Sequence, residues 1–204
     1  MTYKEKFEKA LTYISRDGVD DLVSWLKNDT DFFTSPCSTR FHGNFEGGLL
    51  EHSINVLEYS LAIYKHLLSK NPDLKYLKES VIISALFHDV CKANCYVKEQ
   101  KWTKNAQDKW VQYEGWSFNE DFPIGHGEKS VYLISKYVKL TDPEALAIRW
   151  HMGTYEVGTS IEGPTKWSYQ TASEHPLVRI IHSSDLMAQT LETTINHREK
   201  ASNR

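Results

Sequence analysis

The chain has little of what marks a secreted or membrane-spanning protein. Three cysteines in 204 residues, Cys37, Cys91 and Cys95, are too few and too odd in number for a disulfide framework. Reduced thiols in a reducing compartment are the simple reading. No apolar run reaches the roughly 20 residues that a membrane span requires. The N-terminal "MTYKEKFEKALTYI" has no signal-peptide core. A cytoplasmic protein, mature from Met1 and without a membrane partner, is expected. Basic charge is not in excess either. Lys and Arg number 24 against 27 Asp and Glu, a net charge of -3, so no global attraction to nucleic acid is expected and only a local patch stays open. No internal repeat, low-complexity tract or linker divides the chain, which predicts one domain over 1–204.

What is present is helical periodicity. Residues 3–15 and 19–28 read as amphipathic helices, part of an N-terminal helical extension over 1–35. Residues 29–48 are a loop by their Asp, Ser, Thr, Pro and Gly content. Helices follow at 49–69 and 76–91, the second apolar almost all round in "SVIISALF". Residues 96–118 alternate Trp, Tyr and Val with polar residues about a turn, "KNAQD", and predict a β-hairpin. A helix starts near His126. The next, in "LTDPEALAIRWHMG", is capped by Asp142 or Thr141, carries Pro143 in its first turn and is stopped by Gly153. Residues 154–172 read as a loop, and a last helix runs from Ser173 to about Ile195. The fold class is therefore all-α with a small β insertion.

Three of these helices carry an ionisable residue where hydrocarbon is expected. His52 lies in "GGLLEHSINVLEYS", His88 and Asp89 end "ALFHDV", and Asp185 sits in the stripe Val178, Ile181, Asp185, Ala188. A buried carboxylate without a partner costs several kcal/mol or more, and a cation would offset that cost. His52, His88, Asp89 and Asp185 form one candidate ligand set. His126, at a helix start that favours neutral imidazole, and His151 are candidates for a second ion, with Asp89 as the bridge. Mixed imidazole and carboxylate ligation fits one or two divalent transition ions among Mn, Fe, Co, Ni and Zn.

The ordered series His52, His88-Asp89, His126, His151, Asp185 resembles the HD-domain metal-dependent phosphohydrolases. "GGLLEHS" is similar to the corresponding segment in the HD domain of bacterial 3′-to-5′ exoribonucleases. "FPIGHGEKSV" and "EALAIRWHMG" resemble small stand-alone bacterial and phage HD hydrolases. The resemblance implies an HD-type helical bundle with its metal-binding core over 36–195. It implies that His, His-Asp and Asp hold one ion and that two further histidines hold a second. It also implies hydrolysis of a phosphate mono- or diester, on a nucleotide or short oligonucleotide. The chain departs from the exoribonucleases in having no OB-fold segment, and from many relatives in reading "HDVCK" without Gly before Lys92.

Asp89 is expected to position water, and Lys92, three residues on, to neutralise a phosphate oxygen. Arg40 and His42, in "STRFHGNFEGG", are candidate phosphate contacts, and the glycines there would let backbone approach a ligand. Other readings stay open: hydrolysis of a nucleoside triphosphate or cyclic nucleotide, or a catalytically inactive, metal-stabilised regulatory or RNA-binding module. His66, His175, His182 and His197 read as structural or exposed. The hairpin, with Trp102, Trp110, Tyr113 and Trp116 among lysines, reads as an ordinary ribbon with one packed face. If it overhangs the metal site instead, it becomes a base-selecting lid. Oligomeric state is not legible.

Overall fold

The computed structural model describes residues 1–157 and 164–202, of which the side chains of Tyr76, 156–157, 164–165 and 194–202 are left aside. Helix α1 (Tyr3–Leu11) opens with a capping box between Thr2 and Glu5. It buries Phe7, whose ring meets Phe33 edge-on at 5.3 Å and Phe87 at 6.2 Å. Burial of a Phe side chain contributes roughly 1.5–3 kcal/mol, so this contact ties the N-terminus firmly to the central helices. Helix α2 (Val19–Asn28) buries Leu22 and Leu26 in the same cluster.

Helix α3 (Gly48–Lys70) is the long central element and packs against α4 (Lys78–Phe87) and α8 (Pro176–Ser202). The preceding loop is pressed onto its start. Leu49 N–H donates to the Ser35 carbonyl and Gly47 N–H to that of Thr34. A Cβ on Gly48 would lie 2.0 Å from the Gly43 carbonyl oxygen. The glycines of "GNFEGG" thus serve this loop–helix approach, where contact with a ligand was expected.

Helices α5 (His126–Ser135) and α6 (Asp142–Arg149) pack on each other, and α6 also meets α8 and α4. At their crossing a Cβ on Gly127 would stand 2.2 Å from the Arg149 carbonyl oxygen, so only glycine lets His126 come so near the end of α6. Thr141, with Glu144, caps α6 in a second capping box. The helix ends at Arg149 with Trp150 as its cap, ahead of Gly153.

Several expected boundaries move. Helix α1 ends at Leu11, short of residue 15. The expected helix over 76–91 is three pieces: a 3₁₀ turn over Pro72–Leu77, α4, and a 3₁₀ turn over Val90–Lys92. The break comes at Asp89, whose backbone leaves the helix at φ -106, ψ 16. Of the loop expected over 154–172, Gly153–Val157 is a 3₁₀ turn, residues 158–163 lie outside the described residues, and Pro164–Ala172 is a helix, α7. Pro164 starts that helix because a first-turn proline loses no hydrogen bond. The same reason moves the start of α8 to Pro176.

Strands β1 (Tyr96–Lys104) and β2 (Trp110–Phe118) form one antiparallel ribbon in register from Tyr96↔Phe118 to Lys104↔Trp110. Asn105 Oδ1 closes the turn by accepting from the N–H groups of Gln107 and Lys109. The expected packed face is not there: both faces are largely exposed, Trp102 and Trp110 included. Lys98 and Lys104 stack over Trp116 and Trp110 instead, within the ribbon itself. The protein is thus mostly helical with one small two-stranded sheet. No described helix is long and apolar enough to cross a membrane.

Candidate metal centre

Five helices bring six polar side chains to one buried point. His52 comes from the second turn of α3. His88 and Asp89 follow the last residue of α4. His126 is the first residue of α5, His151 follows α6, and Asp185 lies within α8. Five of the six are buried, His126 only partly. Asp89 is at the centre. Its Oδ2 lies 3.6 Å from His52 Nε2 and 3.4 Å from His88 Nε2. Its Oδ1 lies 2.9 Å from His126 Nε2 and 3.4 Å from His151 Nε2. Asp185 Oδ1 is 3.1 Å from His52 Nε2. His52, His88 and Asp89 form one group able to hold an ion, and Asp89, His126 and His151 another.

The rings are aimed from behind. His88 Nδ1 donates to the Ala85 carbonyl at 2.8 Å, and His151 Nδ1 to the Ile148 carbonyl at 2.7 Å. A carbonyl only accepts, so the proton of each neutral ring is on Nδ1 and its lone pair is on Nε2. Both Nε2 atoms are buried without a hydrogen-bond partner, and so is Asp89 Oδ1, whose approach to His126 lacks hydrogen-bond geometry. Lone pairs that face a carboxylate across 3.4 Å repel unless positive charge stands between them. These orphaned atoms, all imidazole nitrogen or carboxylate oxygen, fit a divalent transition ion.

The charges around Asp89 agree with that demand. Burial pushes its carboxyl up, but the Lys92 ammonium and the surrounding imidazoles hold it well below the usual carboxylate range. Lys92 reaches it through the 3₁₀ turn, with Nζ 2.7 Å from Asp89 Oδ2 and 3.3 Å from Cys37 Sγ. Burial opposes charge on His52 also. The Cys37 thiol, Asp185 and Glu192 overcome it and raise His52 well above an ordinary histidine. Burial keeps His88 on the neutral side; burial opposes charge on His151 too, but Asp89 and Asp185 raise it.

Beside this cluster a cavity of about 460 Å³ opens to solvent, lined by Lys92, His42 and Asp185 within and by Phe41, Tyr155 and Leu186 at its mouth. His42 lies beside His52, with ring centroids 4.9 Å apart and the planes tilted by 43°, and burial lowers its pKa to about 4. Arg40 is exposed and outside this lining, and no hairpin residue lines it either, which leaves the lid reading without support. Cys91 Sγ meets His126 Nδ1 at 3.1 Å. His182 turns its Nδ1 to the His151 carbonyl, a structural contact.

No family model and no solved structure matches the chain. It is similar to the dihydroneopterin 2′,3′-cyclic phosphate phosphodiesterase of Methanocaldococcus jannaschii, 30% identical over 74 residues. That stretch is 36% of this chain and 29% of the archaeal protein, so the match spans less than a third of that relative.

Three residues at the centre were not singled out by sequence. Glu192 faces His52 Nδ1 with both oxygens at 3.1 Å and accepts from Asn55 Nδ2 at 2.8 Å. It follows Asp185 by seven positions, two helical turns on the same face, and Asn55 follows His52 by three, spacings that place each on the face of a candidate ligand without naming its partner. Cys37 lies in an irregular loop, where no periodicity points inward.

Proposed function

We propose that this protein is an HD-type metal-dependent phosphohydrolase that cleaves a phosphate mono- or diester of a nucleotide-sized substrate. The observation that carries the reading is the pair of buried, unpartnered Nε2 lone pairs on His88 and His151, aimed at opposite oxygens of Asp89. His52, His88, Asp89 and Asp185 would hold one divalent transition ion, and Asp89, His126 and His151 a second. Bound there, the metal supplies Lewis acidity that acidifies water and draws charge from a phosphoryl oxygen. The chain's own groups do the rest. Lys92 is a partly buried ammonium that lines the cavity and neutralises a phosphate oxygen. Asp89 accepts and orients a water proton at Oδ1 or Oδ2. His42, neutral above about pH 4, offers an uncharged ring nitrogen to the ester.

Arg40, an expected phosphate contact, has no place in this scheme. The archaeal relative's activity favours a 2′,3′-cyclic phosphodiester as the first ester to try. A cavity of about 460 Å³ suits one nucleotide-sized ligand better than a long strand.

Two tests follow. Purified without a histidine tag, the protein is expected to carry about two transition ions per chain by mass spectrometry and to hydrolyse cyclic or linear phosphodiesters with Mn. Neither metal nor turnover after Mn addition would leave a non-catalytic module. The second concerns Glu192, which accepts from His52 Nδ1 and so aims Nε2 at Asp185 and Asp89, where an ion would displace its proton. Glu192→Gln keeps an acceptor for Asn55 and is expected to weaken metal affinity about 10–100-fold, read by competition against a chelating dye. Unchanged affinity would make Glu192 an ordinary buried polar residue.

A further inference from the structure

The cavity beside the cluster has an unusual mouth. Phe41 is 75% exposed and Tyr155 82% exposed, and both line it. Large aromatic rings left in water beside a polar pocket have no packing role to explain them. They are also held to the chemistry by the chain itself. Phe41 precedes His42, whose Nε2 is buried, and Tyr155 lies in the 3₁₀ turn that follows His151. The turn that presents Phe41 is fixed: Phe41 N–H donates to Ser38 Oγ, and Ser38 Oγ donates to the His42 carbonyl. Leu186, next to Asp185, adds apolar area to the same rim. Polar groups therefore lie at the bottom of the cavity, and its mouth joins the two exposed rings and Leu186 with the polar Gln189 and Thr193.

We infer that Phe41 and Tyr155 select substrates whose phosphate ester carries a flat heteroaromatic ring, a nucleobase or another fused nitrogen heterocycle. The inference rests on the phosphohydrolase reading for the seat of the phosphate near Lys92. The ring then lies over Phe41 and Tyr155, and the phosphate reaches Lys92. Stacking on an aromatic side chain tolerates any π-face, so the rim selects for a ring without choosing one base. An ester without a ring gains nothing from it.

Binding and turnover test this separately. A fluorescent purine nucleotide, 2-aminopurine riboside 3′-monophosphate, is titrated into metal-chelated full-length protein. Stacking is expected to quench its emission. Phe41→Ala and Tyr155→Ala are each expected to weaken binding about 10-fold and to abolish much of the quenching, while Tyr155→Phe keeps both. Both side chains are exposed, so the variants leave the fold intact. With metal restored, the same alanine variants raise KM for a nucleoside 2′,3′-cyclic phosphate about 10-fold and leave KM for glycerol cyclic phosphate, which has no ring, unchanged. Equal binding by all variants, or binding without quenching, overturns the inference. Quenching that depends on both rings, in a protein that turns over neither ester, supports the rim and overturns the hydrolase reading alone.

Discussion

Asp89→Asn is expected to remove metal and activity together. Among the described residues, Asp89 alone faces both histidine pairs, with Oδ2 toward His52 and His88 and Oδ1 toward His126 and His151. An amide offers one oxygen and no charge, so both ligand groups lose their shared carboxylate. Turnover should fall by more than about 100-fold, beyond the 10–100-fold that follows loss of a group merely orienting a ligand. Bound metal should fall to near zero by mass spectrometry. Stability should change as well. Lys92 loses its carboxylate at 2.7 Å while its side chain stays 15% exposed. A buried charge stripped of its partner costs about 3–5 kcal/mol. Adding Lys92→Met removes that stranded charge, and the double variant should regain much of the lost stability and none of the turnover. A single Asp89→Asn protein that keeps full metal content and full activity would refute the site assignment.

The other large effect lies about Glu144, in the first turn of α6, at the opposite end of that helix from His151. Its carboxylate is fully buried and accepts from Arg16 Nη1 at 3.1 Å, Arg16 Nη2 at 3.0 Å and Ser80 Oγ at 2.7 Å. Arg16 lies between α1 and α2, so this fork joins the N-terminal region to the start of α6. Arg16→Met should cost about 3 kcal/mol, the low end for a broken buried pair because Arg16 is partly exposed. In a chain of this size that lowers Tm by about 6–12 °C.

The pH dependence carries a sign. Burial pushes the Glu144 carboxyl up, but Arg16, Thr141 and Ser80 hold it below its ordinary value. Its contribution is thus complete above the ordinary carboxylate pKa of about 4.3 and lost as pH falls through the lower folded value. Without Arg16, burial dominates and the folded pKa rises above the unfolded one. The deficit of the Met variant should therefore shrink as pH falls from about 7 to about 4. A Tm difference that stays constant over that range would show that the carboxylate is not the group left stranded.

The parts of the fold that sequence made legible were those in which a residue type contradicts its surroundings. His52, His88 and Asp185 stand in hydrocarbon, so each drew attention without any contact being known, and the structure brings them to one point. The cap of α6 at Thr141 and its first-turn Pro143 were legible through local backbone rules. What stayed hidden needed contacts between distant segments. Glu192 lies on a helix stretch of mixed polarity, where its pairing with His52 depends on how α8 crosses α3. Residues 164–172 were read as a loop because Pro and Gly were weighed as breakers, although proline at a first turn starts a helix. The hairpin was legible from alternation. Its exposure was not, because a ribbon packed on one face and a free ribbon have the same period.

That free ribbon also sets how the protein opens. Two strands without a packed face are marginal in water by themselves. The ribbon from Tyr96 to Phe118 therefore forms a low-lying unit of native-state opening, with amide hydrogens that exchange while the helices stay protected. Its base is tied down by the Tyr96 hydroxyl on the Cys37 carbonyl and by Asn119 N–H on the Cys95 carbonyl. Cys37 in turn contacts Lys92, and Lys92 contacts Asp89. A fraying event in the ribbon thus ends two contacts away from the central carboxylate, so local unfolding at the surface and the order of the buried centre share one free-energy ladder.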